Sequence, residues 1–326
     1  MNSTHGTNFR VSIFGESHGE SIGVVIDGLP PGFALDTGFI KSELARRAPG
    51  NSPNATARRE ADDFTLMSGV FNGLTTGAPL MALCRNTDTR SHDYEPNFPR
   101  PGHADYVANL KYKGANDYRG GGHFSGRLTA PLVFAGAIAK QLLKERYQIG
   151  IEAKIVSIHG ETENINEVIR QAKERGDSVG GVINCTALNI PPGWGDPIFH
   201  SLESEIAAMM FSIPAVKGIE FGEGFKFADK YGSEVSDGLT YENGKVKYLA
   251  NNNGGINGGI SNGNTLTFNV AFKPTPTISV PQQTINLKTG DTVTHSFTGR
   301  HDPCIVPRAV PVVEAVLAIT LAEYIN

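Results

Sequence analysis

The stretch RPGHADYVANLKYKGANDYRGGGHFSGRLTAPLVFAGAIAKQLL, residues 100–143, joins a polar, glycine-rich run to an apolar one. Gly120, Gly121 and Gly122 permit positive φ and close backbone approach. Ser125 is placed to cap a helix that starts near Gly126 or Arg127, and Pro131 is tolerated because it falls in that helix's first turn. From Ala130 to Ala139 the helix is apolar nearly all round, which predicts burial on every side. It is too short to cross a bilayer. Its amino end carries Arg127 and offers backbone N–H groups and a positive dipole end to an anion such as phosphate. The same residues also suit a plain glycine turn ahead of a core helix. A Walker A loop is excluded, because Arg127 and Leu128 stand where Lys and Ser or Thr are required.

At 326 residues the chain is long enough to bury a sizeable core, and no obvious linker divides it, so one domain is expected. A net charge of −4 with 19% charged residues points to neither nucleic acid nor a membrane surface as partner. Glycine is abundant and clusters in polar stretches without a period, which favours tight loops over fibre or linker. Cys84, Cys185 and Cys304 are far apart and odd in number, so they suggest neither a disulfide framework nor a zinc site. The first residues lack a basic region followed by a long apolar run, and a cytoplasmic location is the default expectation.

Short strands are expected at 9–14 and 22–27, flanking the turn Gly15-Glu16-Ser17-His18-Gly19. A helix is expected at 36–47, followed by a breaker-rich loop at 48–60, and a strand at 80–84 leads into a second polar loop at 85–99. Beyond the central helix, strands at 152–158, 179–187, 215–221 and 266–272 alternate with helices at 164–175 and 202–211, and a last helix covers Val310 to Tyr324. Half-polar alternation in many strands predicts sheets with one covered face, not a fully buried parallel sheet.

Three polar clusters lie at element ends, where functional groups are commonly presented: Glu16-Ser17-His18, Arg100 to Asp105, and Arg300-His301-Asp302. His18 and His103 titrate near neutrality and suit acid–base work, although a single loop histidine is more often structural. Asp302 also suits a turn cap. Arg46, Arg47, Arg58, Arg59, Arg100, Arg119, Arg127 and Arg300 gather around loops, as carboxylate or phosphate contacts do, though some of them suit a solvated surface. Gly15 to Gly19 matches the Gly-x-Ser-x-Gly nucleophile elbow formally, but a strand and not a helix is expected after it. The glycines of 254–263 fail the dinucleotide-fold test for the same reason.

Taken together and in order, GESHG (15–19), RPGHADY (100–106), YRGGGHFSGRLTA (118–130), GGISNG (258–263), KPTPT (273–277) and GRHDPC (299–304) resemble the chorismate synthase family, from about Phe9 to the end. The resemblance implies a lyase that converts 5-enolpyruvylshikimate 3-phosphate to chorismate by 1,4-anti elimination of phosphate, the last shared step towards aromatic amino acids. It implies a requirement for reduced FMN with no net redox change, NADPH as an indirect electron source through a flavin reductase, and no metal. The implied fold is α+β: a single-domain β-α-β sandwich over 1–326 with helices between two antiparallel sheets, assembled as a cytoplasmic homotetramer.

The resemblance also implies roles for residues. His18 protonates the leaving phosphate, His103 acts on the reduced flavin, and Asp302 assists proton removal through flavin N5. Ser17, Arg47, Arg127 and Arg300 match substrate-binding positions. The flavin-contact positions are His123, Phe124, Ser125, Pro214, Ala215 and Gly258, with Lys273, Pro274, Thr275, Pro276, Thr277 and again Arg300. Departures from the pattern are Ala48 and Pro53, where arginines are usual, and His123-Phe124 in place of Arg-Ser. Each missing arginine removes a charge-assisted contact worth roughly 1.5–3 kcal/mol, and Arg58, Arg59 or His123 are the expected substitutes. The alternatives are a flavin reductase or oxidoreductase and a non-catalytic flavin-binding relative; retention of His18, His103 and Asp302 speaks against the latter. The loops at 48–60 and 85–99 are the lid candidates.

Overall fold

The computed structural model describes residues 3–48, 62–89, 94–297, 299 and 302–325. Most of the expected 48–60 loop, with Pro53, Arg58 and Arg59, lies outside those residues, as do 90–93 of the second loop, Arg300 and His301. Five strands, β1 (Thr4–His5), β2 (Arg10–Gly15), β3 (Ser21–Asp27), β4 (Phe64–Ser68) and β5 (Leu80–Arg85), form an antiparallel sheet in the order β1-β2-β3-β5-β4. Val11 pairs with Ile26 and Val24 with Ala82, so one face of this sheet is a continuous apolar surface. A second antiparallel sheet consists of β6 (Gly150–Ile158), β7 (Gly181–Leu188), β8 (Val216–Phe221) and β9 (Leu266–Phe272), in the order β8-β9-β7-β6. Strict alternation along β9 buries Leu266, Phe268, Val270 and Phe272 and leaves Thr267, Asn269 and Ala271 on the other face.

The helices are α1 (Thr37–Arg47), α2 (Asp105–Lys111), α3 (Thr129–Tyr147), α4 (Ile165–Glu174), α5 (Leu202–Met210) and α6 (Val306–Ala322), and α3 and α6 fill the space between the sheets. The central helix packs on β2 and β3, α6 packs on β6 and β7, and α3 and α6 pack against each other, giving the order sheet, helices, sheet. This is an α+β sandwich, as expected. All ten residues from Ala130 to Ala139 are buried in α3, and in α6 every residue from Pro311 to Ala322 is buried. The two helices touch where Gly136 meets Ala315: a Cβ on Gly136 would lie 2.3 Å from the Cβ of Ala315, so any larger residue drives the pair apart.

Local signals set the helix ends. Asp36 Oδ1 accepts from the Phe39 N–H at 2.9 Å, and Ser201 Oγ from the Ser204 N–H at 3.1 Å. Ser125 caps as expected, but what it caps is a 3₁₀ turn over Gly126–Leu128, and the α-helix begins at Thr129. The last helix starts at Val306 and not Val310, because Pro307 sits in the first turn, where a missing N–H costs nothing. Elements absent from the sequence expectation include β1, α2, β4 and the hairpins 239–242 with 245–248 and 282–285 with 292–295.

One carboxylate ties the layers. Glu314 is buried in α6 and accepts from Arg46 of α1 (2.6 and 2.8 Å), Lys140 of α3 (2.6 Å) and the Ala153 N–H of the edge strand β6 (2.9 Å). Burial alone raises a carboxyl pKa, but the bonds from Arg46 and the charge of Lys140 outweigh it and hold Glu314 below its ordinary value. A depressed pKa stabilises the fold above the unfolded value and ceases to do so as pH falls. Glu314→Gln is therefore expected to lose roughly 3–5 kcal/mol of unfolding free energy near neutrality. In denaturant titrations the gap between the two proteins should begin to narrow as pH falls past the ordinary glutamate value of about 4.3 and keep narrowing until the depressed pKa of folded Glu314 is passed; a constant gap contradicts the charge-based account.

Candidate active site

The amino ends of α3 and α6 open onto one cavity of about 690 Å³, within the size range of small-molecule and cofactor pockets. The turn after β2 brings Ser17 and His18 to it, the 100–104 stretch brings Arg100 and His103, and the end of β9 brings Lys273, Thr275, Pro276 and Thr277. Its chemistry is divided: Phe124, Ile213, Pro214 and Val216 supply apolar wall, while Arg47, Arg100, Arg127, Lys273 and Arg308 supply cations. That mixture suits a planar heteroaromatic ring and an anionic ester together.

Positive φ at Gly120, Gly121 and Gly122 (61°, 80° and 53°) folds the glycine run against both histidines. A Cβ on Gly120 would lie 2.4 Å from His18 Cδ2 and 2.8 Å from Ser17 Oγ, and one on Gly121 would lie 3.4 Å from His103 Nε2. His18 is buried and meets the Tyr94 ring edge-on at 5.3 Å. Burial lowers the pKa of His103, the cations Arg100 and Lys273 add to that, and the Asp105 carboxylate opposes it.

The arginines at the amino end of α3 are not loose. Arg47 and Arg127 are both buried and share Asp62: Arg47 Nε lies 2.6 Å from Asp62 Oδ2, and Arg127 Nη1 bonds Asp62 Oδ1. Arg127 also reaches Asn86 Oδ1 at 3.1 Å, and Arg47 reaches Thr129 Oγ1 at 3.3 Å. Desolvation, with the repulsion of Arg308 and Arg127, pulls the Arg47 pKa down to about 10 against the attraction of Asp62. Two guanidiniums facing one carboxylate leave an excess of positive charge beside the cavity, which an anion would offset.

Asp302 lies ahead of α6, and Arg308 Nη1 donates to its Oδ2 at 3.0 Å while Arg308 Nε donates to the Arg47 carbonyl at 3.1 Å. Asp302 Oδ1 is buried and has no partner among the described residues, and burial raises the carboxyl pKa against the pull of Arg308. The Asp302 carboxylate faces the cavity.

Of the residues picked out by motif, Ser17, His18, Arg47, His103, His123, Phe124, Ser125, Arg127, Pro214, Ala215, Lys273, Thr275, Pro276, Thr277 and Asp302 line this cavity. Pro274 lies within the same run but off the wall, Gly258 sits in the 256–261 hairpin away from the cavity of this chain, and Arg300 lies outside the described residues. His123 lines the cavity and also sets its ring nitrogens against the Gly15 carbonyl (2.9 Å) and Ser3 Oγ (3.3 Å), so it braces the turn after β2. Sequence reading missed Asp62 and Arg308, and it placed Asp105 in a polar cluster without giving it a role. Only their partners in space mark them, although the Pro-Arg at the head of α6 placed a cation at a helix start, where it is unfavourable without an anion.

A sequence profile described as chorismate synthase matches residues 9–325. The chain belongs to the chorismate synthase family. It is 46% identical to the chorismate synthase of Korarchaeum cryptofilum, with 98% of this chain and 96% of that protein covered. It is 46% identical to that of Thermococcus gammatolerans over the same shares and 44% identical to that of Cytophaga hutchinsonii over 99% and 97%. A crystal structure of a chorismate synthase superposes with a TM-score of 0.75 at 28% identity, covering 98% of this chain and 92% of that one. The family is one of lyases, and the sandwich described above is its fold.

The glycine run offers a direct check. Gly120→Ala places a methyl where His18 and Ser17 now lie and strains a φ of 61°. Steady-state turnover is expected to fall by on the order of 10² through displacement of His18, with the protein still folded but melting a few degrees lower because of the strained φ. Wild-type turnover in this variant removes the close packing of His18 on Gly120 from the account.

Proposed function

We propose that this chain eliminates phosphate from 5-enolpyruvylshikimate 3-phosphate to give chorismate, with reduced FMN bound in the same cavity. The observation that carries this reading is the meeting of His18, His103 and Asp302 around one cavity bordered by Arg47 and Arg127. Reduced flavin, when bound, supplies the electron density that helps expel phosphate from a substrate whose departing hydrogen is not acidic. Phe124, Ser125, Pro214, Ala215 and the run from Lys273 to Thr277 would hold it, with Arg300, and Gly258 is assigned to it on resemblance alone. The buried, unpartnered Asp302 Oδ1 supports the fit, because a buried carboxylate oxygen calls for a donor that a ligand can provide.

The substrate phosphate and carboxylates are attracted by the excess charge of the Arg47–Asp62–Arg127 group. Ser17 and Arg300 complete the substrate set. His18 gives a proton to the departing phosphate, which leaves as the C–O bond breaks. Asp302 is suited to accept the proton lost from the ring, since burial already raises its affinity for one. His103, kept neutral by burial and its cationic neighbours, serves the flavin side of the cavity. We further infer one domain over the whole chain, a homotetramer, a cytoplasmic location and reduction of the flavin from NADPH through a separate flavin reductase. Exposed Ile198, Phe199 and Phe225 support the assembly, because large apolar side chains this open are what subunit contacts cover.

The test is anaerobic. Purified protein, chemically reduced FMN and the shikimate ester are mixed, and chorismate and phosphate are followed together. Equal release of both products is expected, and His18→Ala should slow it by about 10²–10⁴ while the protein stays folded. Flavin binding without release of either product contradicts the elimination, and an unchanged rate in His18→Ala removes His18 from proton transfer.

A further inference from the structure

Asp105 opens the short helix α2 and lies under His103. Arg100 holds its carboxylate in a two-pronged grip, Nε to Oδ2 at 2.7 Å and Nη2 to Oδ1 at 2.8 Å, and the Arg100 N–H adds a third bond at 3.1 Å. The remaining arm of Arg100, Nη1, donates to Thr277 Oγ1 at 3.0 Å, and Lys273 Nζ bonds the Gly102 carbonyl. The 100–105 turn is thereby fastened to the 273–277 wall of the cavity. These bonds outweigh burial and keep the Asp105 carboxyl far below the usual range, so it is ionised at any working pH.

His103 Nδ1 lies 2.6 Å from Asp105 Oδ1 and 3.1 Å from Arg100 Nη2. The two contacts make opposite demands, since a carboxylate requires a proton on Nδ1 and a guanidinium requires a lone pair there. The shorter contact decides. Two bare acceptors at 2.6 Å repel each other, whereas the same separation with a proton between them is a charge-assisted hydrogen bond. Arg100 Nη2 has Oδ1 as an acceptor at 2.8 Å, shorter than its 3.1 Å approach to Nδ1. The ring's other nitrogen, Nε2, lies on the side of Gly121, where a Cβ would come within 3.4 Å of it.

We propose that Asp105 is a positioning residue that fixes His103 as the Nδ1–H tautomer, so that Nε2 presents a lone pair on the flavin side of the cavity. His103 then takes a hydrogen bond or a proton at Nε2 in its resting state and gives one back only after taking it up. Arg100 serves the same arrangement by holding Asp105 ionised and in register with Thr277. This deepens the proposed function and rests on His103 working in this cavity, but the tautomer itself is open to measurement without turnover.

The test uses full-length protein labelled with ¹⁵N-histidine, free of flavin, and two-bond ¹H–¹⁵N correlation spectra near pH 7.5, with His103 assigned by the signal lost in His103→Gln. The wild type is expected to show the Nδ1–H pattern. Asp105→Ala should shift His103 towards the Nε2–H form that free imidazole side chains prefer, and Asp105→Asn, which keeps a partner for Arg100, should shift it in the same direction. Elimination kcat is expected to fall about 10²-fold in both, with substrate KM within threefold. An Nε2–H or doubly protonated His103 in the wild type overturns the proposal, as does an Nδ1–H pattern that persists without Asp105. Wild-type protein with the Nδ1–H pattern but no chorismate formation supports the tautomer assignment and overturns the elimination instead.

Discussion

The close contact of Gly136 with Ala315 governs the rest of the molecule, because it sets α3 and α6 side by side at a distance that no larger residue allows. The runs Ala130–Ala139 of α3 and Pro311–Ala322 of α6 are buried on every side, so each needs a sheet behind it. The two sheets supply those faces. Burying a charge such as Glu314 in this layer is tolerable only because α1, α3 and β6 each send it a donor, which also fixes where those elements lie.

Function follows from where this helix pair ends. Both amino ends open on the same cavity, and the residues just ahead of them, the glycine run before α3 and Asp302 before α6, lie in turns free to adopt the φ angles and close approaches that helices forbid. Charge in the site is held by shared partners: Asp62 between Arg47 and Arg127, Asp105 between Arg100 and His103, Arg308 between Asp302 and the Arg47 carbonyl. Each carboxylate aims its partners and sets how much charge the cavity presents.

Much of the architecture was legible because burial writes a pattern. The apolar run Ala130–Ala139 and the alternation in β9 predict their elements directly. Segments with little burial leave no such mark. In α2 only Ala108 is buried, and the strands of the 239–248 hairpin carry no buried residue, so both read as loop. Pro307 and Pro311 hid the first turns of α6, although the first of them sits where proline is welcome. In the site, His18, His103 and Asp302 were legible from their motifs. Asp62 and Arg308 were not, and Asp105 was legible only as a member of the Arg100–Asp105 cluster, since a carboxylate that aims an arginine or a histidine is identified by distance and not by spacing along the chain. His123 shows that a motif position can carry a task its spacing does not announce: its two hydrogen bonds brace the turn after β2.

The central claim is that flavin and phosphate ester share the cavity at the amino ends of α3 and α6. A crystal structure of the protein soaked with FMN and 5-enolpyruvylshikimate 3-phosphate tests it most directly. The account predicts the flavin along Phe124–Ser125 and Lys273–Thr277, and the ester's phosphate within hydrogen-bonding reach of His18 and the Arg47–Arg127 pair. Flavin and ester seated elsewhere, with this cavity holding only water, would contradict it.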